Sequence, residues 1–231
     1  MRRAFAFALS AGLLVACDGR TERDVIATTG LAARYTFNGH ARDVSGNGLH
    51  CTASGTAFTA DRAGRENRAV LFDGTSFLDC GDVLNDLAMP FTLTAWVRMD
   101  RVNPYSTLLV STDQSLVRTA GAALGLQDGV IGLQIGNGEP SGPGSRRTKA
   151  SRASRLGQWM LLTGVVESAE VFLIYVDGVD VGGAFSGYGT TLASTADPMR
   201  LGAGLMGAMD EVRLYRRALT EAEIKTLALA K

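Results

Sequence analysis

From Gly30 onward the chain is a succession of short β-type runs separated by turn clusters, and this rhythm limits the fold more than any other feature. It is the spacing of an all-β sandwich. The cleanest run is Phe91 to Met99 (FTLTAWVRM). Phe91, Leu93, Ala95, Val97 and Met99 fall on one face; Thr92, Thr94, Trp96 and Arg98 fall on the other. A period of two marks a half-buried strand, because successive side chains of an extended chain point to opposite faces. Val171 to Val176 (VFLIYV) is apolar on both faces, which predicts a central strand covered on both sides. It runs into Asp177-Gly178, a pair suited to a tight hairpin turn, with Val179 to Val181 as the returning strand. Trp159 to Val166 and Ala69 to Phe72 are further strands, the second followed by an Asp73-Gly74 turn. Twenty-eight glycines serve this many turns without a collagen period. One helix is expected: Thr220 with Glu223 three residues on is a capping box, followed by apolar Ile224, Leu227 and Leu229. No helices separate the strands, which argues against an α/β fold.

The first residues carry a different signal. Met1-Arg2-Arg3 is basic, and Ala4 to Ala16 is an apolar run of 13 residues. A bilayer-spanning helix needs about 20 residues, so this run suits a signal-peptide core. It ends in Leu14-Val15-Ala16-Cys17, which resembles the bacterial lipoprotein cleavage box. Residues 1–16 are therefore expected to be a signal peptide and Cys17 the lipidated residue. The alternative is an ordinary secreted protein cut nearby. Residues 17–29 are polar and aperiodic and read as a tether, leaving 30–231 as one domain. The expected location is the bacterial cell envelope, lipid-anchored, on the periplasmic or cell-surface side. The whole chain has 23 basic and 23 acidic residues; without the leader the count is 21 against 23. Neither balance suits a nucleic-acid binder, which needs a basic excess.

Two further cysteines, Cys51 and Cys80, are too few for a zinc site, with His40 and His50 the only histidines. In an exported chain such a pair is expected to be disulfide-bonded; the alternative is two buried thiols. Gly138 to Arg155 is the one biased internal stretch, rich in Gly, Pro and Ser and then basic at Arg146, Arg147, Lys149, Arg152 and Arg155. It reads as a solvated hairpin loop with a short polar strand, or as an anion-binding lip in which Arg146, Arg147 and Lys149 meet an acidic glycan or phosphate group.

Other motifs fail on context. Gly202-Ala-Gly-Leu-Met-Gly207 matches a dinucleotide fingerprint, yet it opens a strand-like segment instead of a helix, so its glycines are expected to serve tight strand turns. Asp43-Val-Ser-Gly-Asn-Gly48 opens like an EF-hand loop but has Ser54 where the twelfth-position Glu belongs. It fits either a calcium ligand set or a turn in which Asp43 binds its own backbone.

Taken in order, the pieces resemble the laminin G-like, concanavalin A-like jelly-roll family. They are Gly30-Leu31 with Tyr35-Thr-Phe37-Asn-Gly39, the Asp43–Gly48 loop, Ala69-Val-Leu-Phe-Asp-Gly74, Phe91 to Val97, Gly157-Gln-Trp159, Tyr175-Val-Asp-Gly178, Arg200-Leu-Gly202 with Met206-Gly and Asp210-Glu-Val-Arg-Leu-Tyr215, and Arg217 to Ile224. Met160 stands where the family usually has a His after its Trp. The resemblance implies an all-β concanavalin A-like jelly-roll sandwich of two antiparallel sheets, one concave, with a short C-terminal helical turn. It also implies a structural Ca²⁺ in many relatives, for which Asp43, Gly48 and Asp210 occupy the matching positions.

The expected function is non-catalytic recognition of a glycan or an envelope protein, with oligomeric state open. Trp96 is the candidate stacking surface, since alternation sets it opposite the core residues of its strand; the other reading places it in a second core. A glycosidase or lyase is the alternative. Retaining enzymes need two carboxylates about 5–5.5 Å apart, and no E-x-D-x-E triplet occurs. A purely structural or adhesive envelope protein is the third reading.

Overall fold

The structure is a computed structural model that describes residues 28–103, 107–113 and 118–230. The segment expected to be a signal peptide, Cys17 and nearly all of the expected tether lie outside the described residues. In chain order the first strands are β1 (Leu31–Tyr35), β2 (Thr52–Ser54), β3 (Ala57–Thr59), β4 (Ala69–Asp73), β5 (Phe77–Asp79) and β6 (Phe91–Met99). Next come β7 (Thr107–Ser111), β8 (Arg118–Gln127), β9 (Val130–Pro140), β10 (Arg146–Ser151) and β11 (Trp159–Ser168). The last are β12 (Val171–Val176), β13 (Val179–Asp180), β14 (Ala184–Gly187), β15 (Arg200–Ala203) and β16 (Met206–Tyr215), followed by helix α1 (Glu221–Ala228).

These strands form two antiparallel sheets. The first runs β13-β12-β11-β6-β16-β4-β3, and the second β14-β10-β9-β8-β7-β15-β5-β2. Strand β16 joins the ends of the chain. One of its edges pairs with β6; the other pairs first with β4 and then with β1. At the changeover a bulge at Asp210–Arg213 shifts the register, with Glu211 at φ 47°. A bulge of this kind bends the strand and re-aims its side chains.

The alternation in β6 is realised as expected. Leu93, Ala95 and Val97 join the core between the sheets with Leu124, Leu133, Phe172, Met209 and Val212, all inaccessible or nearly so. The opposite face is also covered. Helix α1 and the segment before it fold across the first sheet and build a second core from Leu161, Val165, Tyr175, Tyr215, Leu219, Ile224 and Leu227. Thr92, Thr94 and Thr163 are buried there, and each finds a partner. The Thr92 hydroxyl donates to the Arg217 carbonyl (2.8 Å) and accepts from the Leu219 N–H (3.0 Å), which ties the C-terminal segment to the sheet. The Thr163 hydroxyl donates to that of Thr94 (2.9 Å). Threonine suits such a face, since its β-branch fits the pleat and its hydroxyl serves an approaching backbone.

The run Val171–Val176 predicts a central strand, but β12 lies beside the edge strand β13. It is apolar on both faces because one meets the opposite sheet through Phe172, Ile174 and Val176, while Leu173 and Tyr175 meet the second core. Cover by α1 imitates central position in the sequence pattern. The Asp177-Gly178 turn has positive φ at both residues, 51° and 83°, as a two-residue hairpin requires. Cys51 and Cys80 are disulfide-bonded, fastening the β2–β5 edge of the second sheet.

The glycines of the rejected fingerprint serve the turn from β15 to β16. A Cβ on Gly202 would lie 2.3 Å from the Phe72 ring, and one on Gly207 2.0 Å from the Arg98 carbonyl oxygen. Strand packing forbids side chains at both positions.

Candidate functional site

The two outer faces of the sandwich differ. That of the first sheet carries the second core and α1. That of the second sheet holds an open cleft of about 600 Å³. Strand register explains its shape. Leu108, Gly125, Gly132 and Ala150 lie side by side across β7, β8, β9 and β10. Small residues at neighbouring positions leave a trough across the strands. Two residues along, Ala123, Gln134, Thr148 and Ser186 form the next row, ending on β14. The Thr148 hydroxyl donates to the Gln134 side-chain oxygen (3.0 Å), which fixes the amide so that its NH₂ group remains to donate elsewhere. On the other side of the trough stand Gln127, Asp128 and Val130. The lining thus combines small apolar groups, two amides and two hydroxyls.

Strand β10 sorts the basic stretch by face. Arg146, Thr148, Ala150 and Arg152 all line the cleft. Arg147 and Lys149 point the other way. The Arg147 guanidinium stacks 4.5 Å from the Phe185 ring centroid. The Lys149 ammonium donates to the Phe172 carbonyl (2.8 Å), which belongs to the opposite sheet. These two side chains close the seam between the sheets. Arg155 pairs with Asp177. Of the basic stretch named from sequence, Arg146 and Arg152 reach the cleft while Arg147 and Lys149 do not, and Gln134, Thr148 and Ser186 join them there. Gln134, Thr148 and Ser186 escape a reading based on local charge because amide and hydroxyl positions become a site only through cross-strand register.

Trp96 lies on the other sheet, on its covered face. It is half-buried against the second core, with the Arg62 guanidinium 4.7 Å from its ring centroid. Arg62 also pairs with Asp210 and donates to the Ala230 carbonyl (3.1 Å). Burial pushes the Asp210 carboxyl up to about 7; Arg62 opposes this, while Glu211 and Asp61 add to it. Glu211 in turn is held between Arg34 and Arg213.

The residues expected around calcium have other engagements. Asp43 Oδ1 accepts from the N–H groups of Arg34 and Ser45 (both 2.9 Å), and Oδ2 from the Ser45 hydroxyl (2.8 Å) and the Leu49 N–H (3.1 Å). Burial raises the pKa of Asp43, but these hydrogen bonds outweigh it and hold the carboxyl below its ordinary value. The Gly48 carbonyl accepts from the His50 N–H (2.9 Å). Asp210 faces the Arg62 guanidinium. Calcium takes six to eight oxygen ligands. Among the described residues no three or more His, Cys, Asp or Glu side chains gather where they could hold a metal ion. As placed, Asp43 and Gly48 make a turn and Asp210 an ion pair with Arg62.

A family model described as the concanavalin A-like lectin/glucanases superfamily (Laminin G 3) matches residues 72–225. No curated protein matches the chain in sequence. Among solved structures, domain 4 of AbnA, a GH43 extracellular arabinanase from Geobacillus stearothermophilus in complex with arabinotriose, is 20% identical with a TM-score of 0.60, over 87% of this chain and 99% of that one. The binding domain of botulinum neurotoxin DC in complex with SialylT is 10% identical with a TM-score of 0.60, over 86% of this chain and 50% of that one. A Trypanosoma rangeli sialidase in complex with 2,3-difluorosialic acid is 17% identical with a TM-score of 0.62, over 87% of this chain and 32% of that one. The chain thus spans about half of the toxin structure and about a third of the sialidase. At these identities the likeness is one of fold.

Proposed function

Since the chain belongs to the concanavalin A-like lectin/glucanase superfamily, we propose that it is a recognition module that binds a glycan in the cleft of its second sheet, without catalysis. The observation that carries this reading is the contrast between the two outer faces. One is roofed by α1; the other is left open by the described residues along a trough walled by Gln127, Gln134, Thr148 and Ser186. Sugars offer hydroxyls that amides and hydroxyls can read, and weakly polar ring faces that rest on small apolar groups. The arabinanase domain, which this chain nearly covers in length, was solved with arabinotriose, and that supports the same class of ligand. Among the described residues the cleft lining includes one carboxylate, Asp128, and this supports binding over glycosidic cleavage by a carboxylate pair. With Cys17 lipidated, the module would display this cleft from a membrane of the cell envelope.

Gly132 provides the test. A Cβ there meets nothing closer than the Thr148 methyl at 3.8 Å, so a larger side chain enters the trough without disturbing the strands. On a glycan array the protein is expected to retain a defined set of glycans, and Gly132→Leu to lose them with an unchanged melting temperature. An array without hits, or hits that survive Gly132→Leu, overturns the proposal.

A further inference from the structure

Among the described residues most charged side chains are engaged. Arg34, Arg62, Arg65, Arg98, Arg155, Arg200, Arg213, Arg216 and Arg217 are all ion-paired. Arg147 and Lys149 are committed to Phe185 and the opposite sheet. The side chains of Arg146 and Arg152 have no hydrogen-bond or ion-pair partner among the described residues, and both line the cleft. They share one face of β10 and its continuation, six residues apart. At the rise of a strand their Cα atoms stand ~20 Å apart, one on each side of the Gly125–Gly132–Ala150 trough. Both are exposed at the cleft rim, with side chains long enough to lean over it from either side.

We infer that the cleft takes an acidic oligosaccharide, whose carboxylates are met by Arg146 from one wall and Arg152 from the other. The inference rests on glycan binding in this cleft and adds the ligand's charge. A planar guanidinium presents paired N–H donors that match a carboxylate's two oxygens, so each arginine supplies direction as well as charge. Between the two, the floor and the polar row are uncharged apart from Asp128, and they suit the sugar rings and hydroxyls. Asp128 lines the cleft at the β8–β9 turn, on the side of Arg152, and lowers the positive charge there. Arg146 has no acid among its cleft neighbours and carries the larger share of the attraction.

The test is calorimetric titration of the protein with hexamers of galacturonate, mannuronate and guluronate and with hyaluronan oligomers, each beside its carboxyl-reduced form. At least one acidic oligomer is expected to bind about tenfold or more tightly than its reduced partner, with the advantage shrinking as salt rises. Arg146→Gln is expected to cost about tenfold in affinity for that oligomer, Arg152→Gln less, and Arg147→Gln nothing. Near-ultraviolet circular dichroism of each variant reports whether the sandwich is intact. Equal affinity for acidic and reduced forms, or array hits confined to neutral glycans, overturns the inference and leaves glycan binding standing. Silence from the array and from every oligomer overturns both.

Discussion

At the scale of single residues, Asp210 is a group whose charge the fold opposes. It is buried on the covered face of the first sheet, where Glu211 and Asp61 add like charge and Arg62, with a hydrogen bond from the Glu211 N–H, compensates in part. Its pKa is raised from 3.8 to about 7. The folded protein therefore holds a proton that the unfolded chain releases. The stability this confers is present below the ordinary carboxylate range and is lost as pH rises through about 7. Asp43, Asp61 and Glu223 have the opposite sign: each is lowered, so each stabilises the fold above its ordinary pKa, and that contribution is lost as pH falls through the acid range. Thermal melts are accordingly expected to peak at mildly acidic pH, with the melting temperature falling from about pH 5 to about pH 8. Asp210→Asn is expected to flatten that fall while keeping the loss below about pH 4. Parallel curves for the two proteins would show that Asp210 does not set the alkaline limb.

At the scale of elements, α1 converts one sheet face from surface to core. Its Thr220 cap is complete: the hydroxyl accepts from the Glu223 N–H (3.3 Å), and the Glu223 carboxylate accepts from the Thr220 N–H (2.7 Å). Replacing Thr220 by Ala is expected to cost about 1 kcal/mol in urea unfolding. Ile224 is fully buried in the second core while Leu229 is 77% exposed, although the sequence presents both as apolar positions of one helix. Ile224→Ala is expected to cost about 2–4 kcal/mol, and Leu229→Ala at most about 0.5 kcal/mol. Similar losses for both would mean that α1 does not dock as described. The elements legible in the sequence are those set by neighbours along the chain. The β6 alternation, the Asp177-Gly178 turn and the Thr220–Glu223 box each need only a few consecutive residues. What covers a face is not local. Trp96 reads as a ligand platform or a core residue until Arg62, Ile224 and Leu227 are known to lie over that sheet face. Arg146 and Arg147 read alike until it is known which face of β10 looks toward the other sheet, because a period of two separates faces without saying which one is inside.

At the scale of the whole molecule, two features far apart in the chain are compatible with the proposed export. The Cys51–Cys80 bond joins residues 29 apart and closes a loop that the unfolded chain would otherwise explore. A closure of that length stabilises the native state by about 3–4 kcal/mol, and it persists only where the surroundings are oxidising. The basic start, the apolar run and the Leu14–Cys17 box propose export by the lipoprotein route, which would deliver the chain to such surroundings. Because the anchor is one residue and the bond two others, the features can be separated. In cells given labelled palmitate, the wild-type protein is expected to take up label and to sediment with membranes. Cys17→Ser is expected to lose the label and leave the membrane fraction. It should still show no free thiol at Cys51 or Cys80 where it has been exported, because the bond depends on the compartment and not on the lipid. Label that persists in Cys17→Ser, or a wild-type protein that takes up none, would remove the anchor. The cleft would then have to be presented by a freely diffusing protein, and its affinity for a single oligosaccharide would have to hold it at its target without the gain that a membrane array of anchored copies provides.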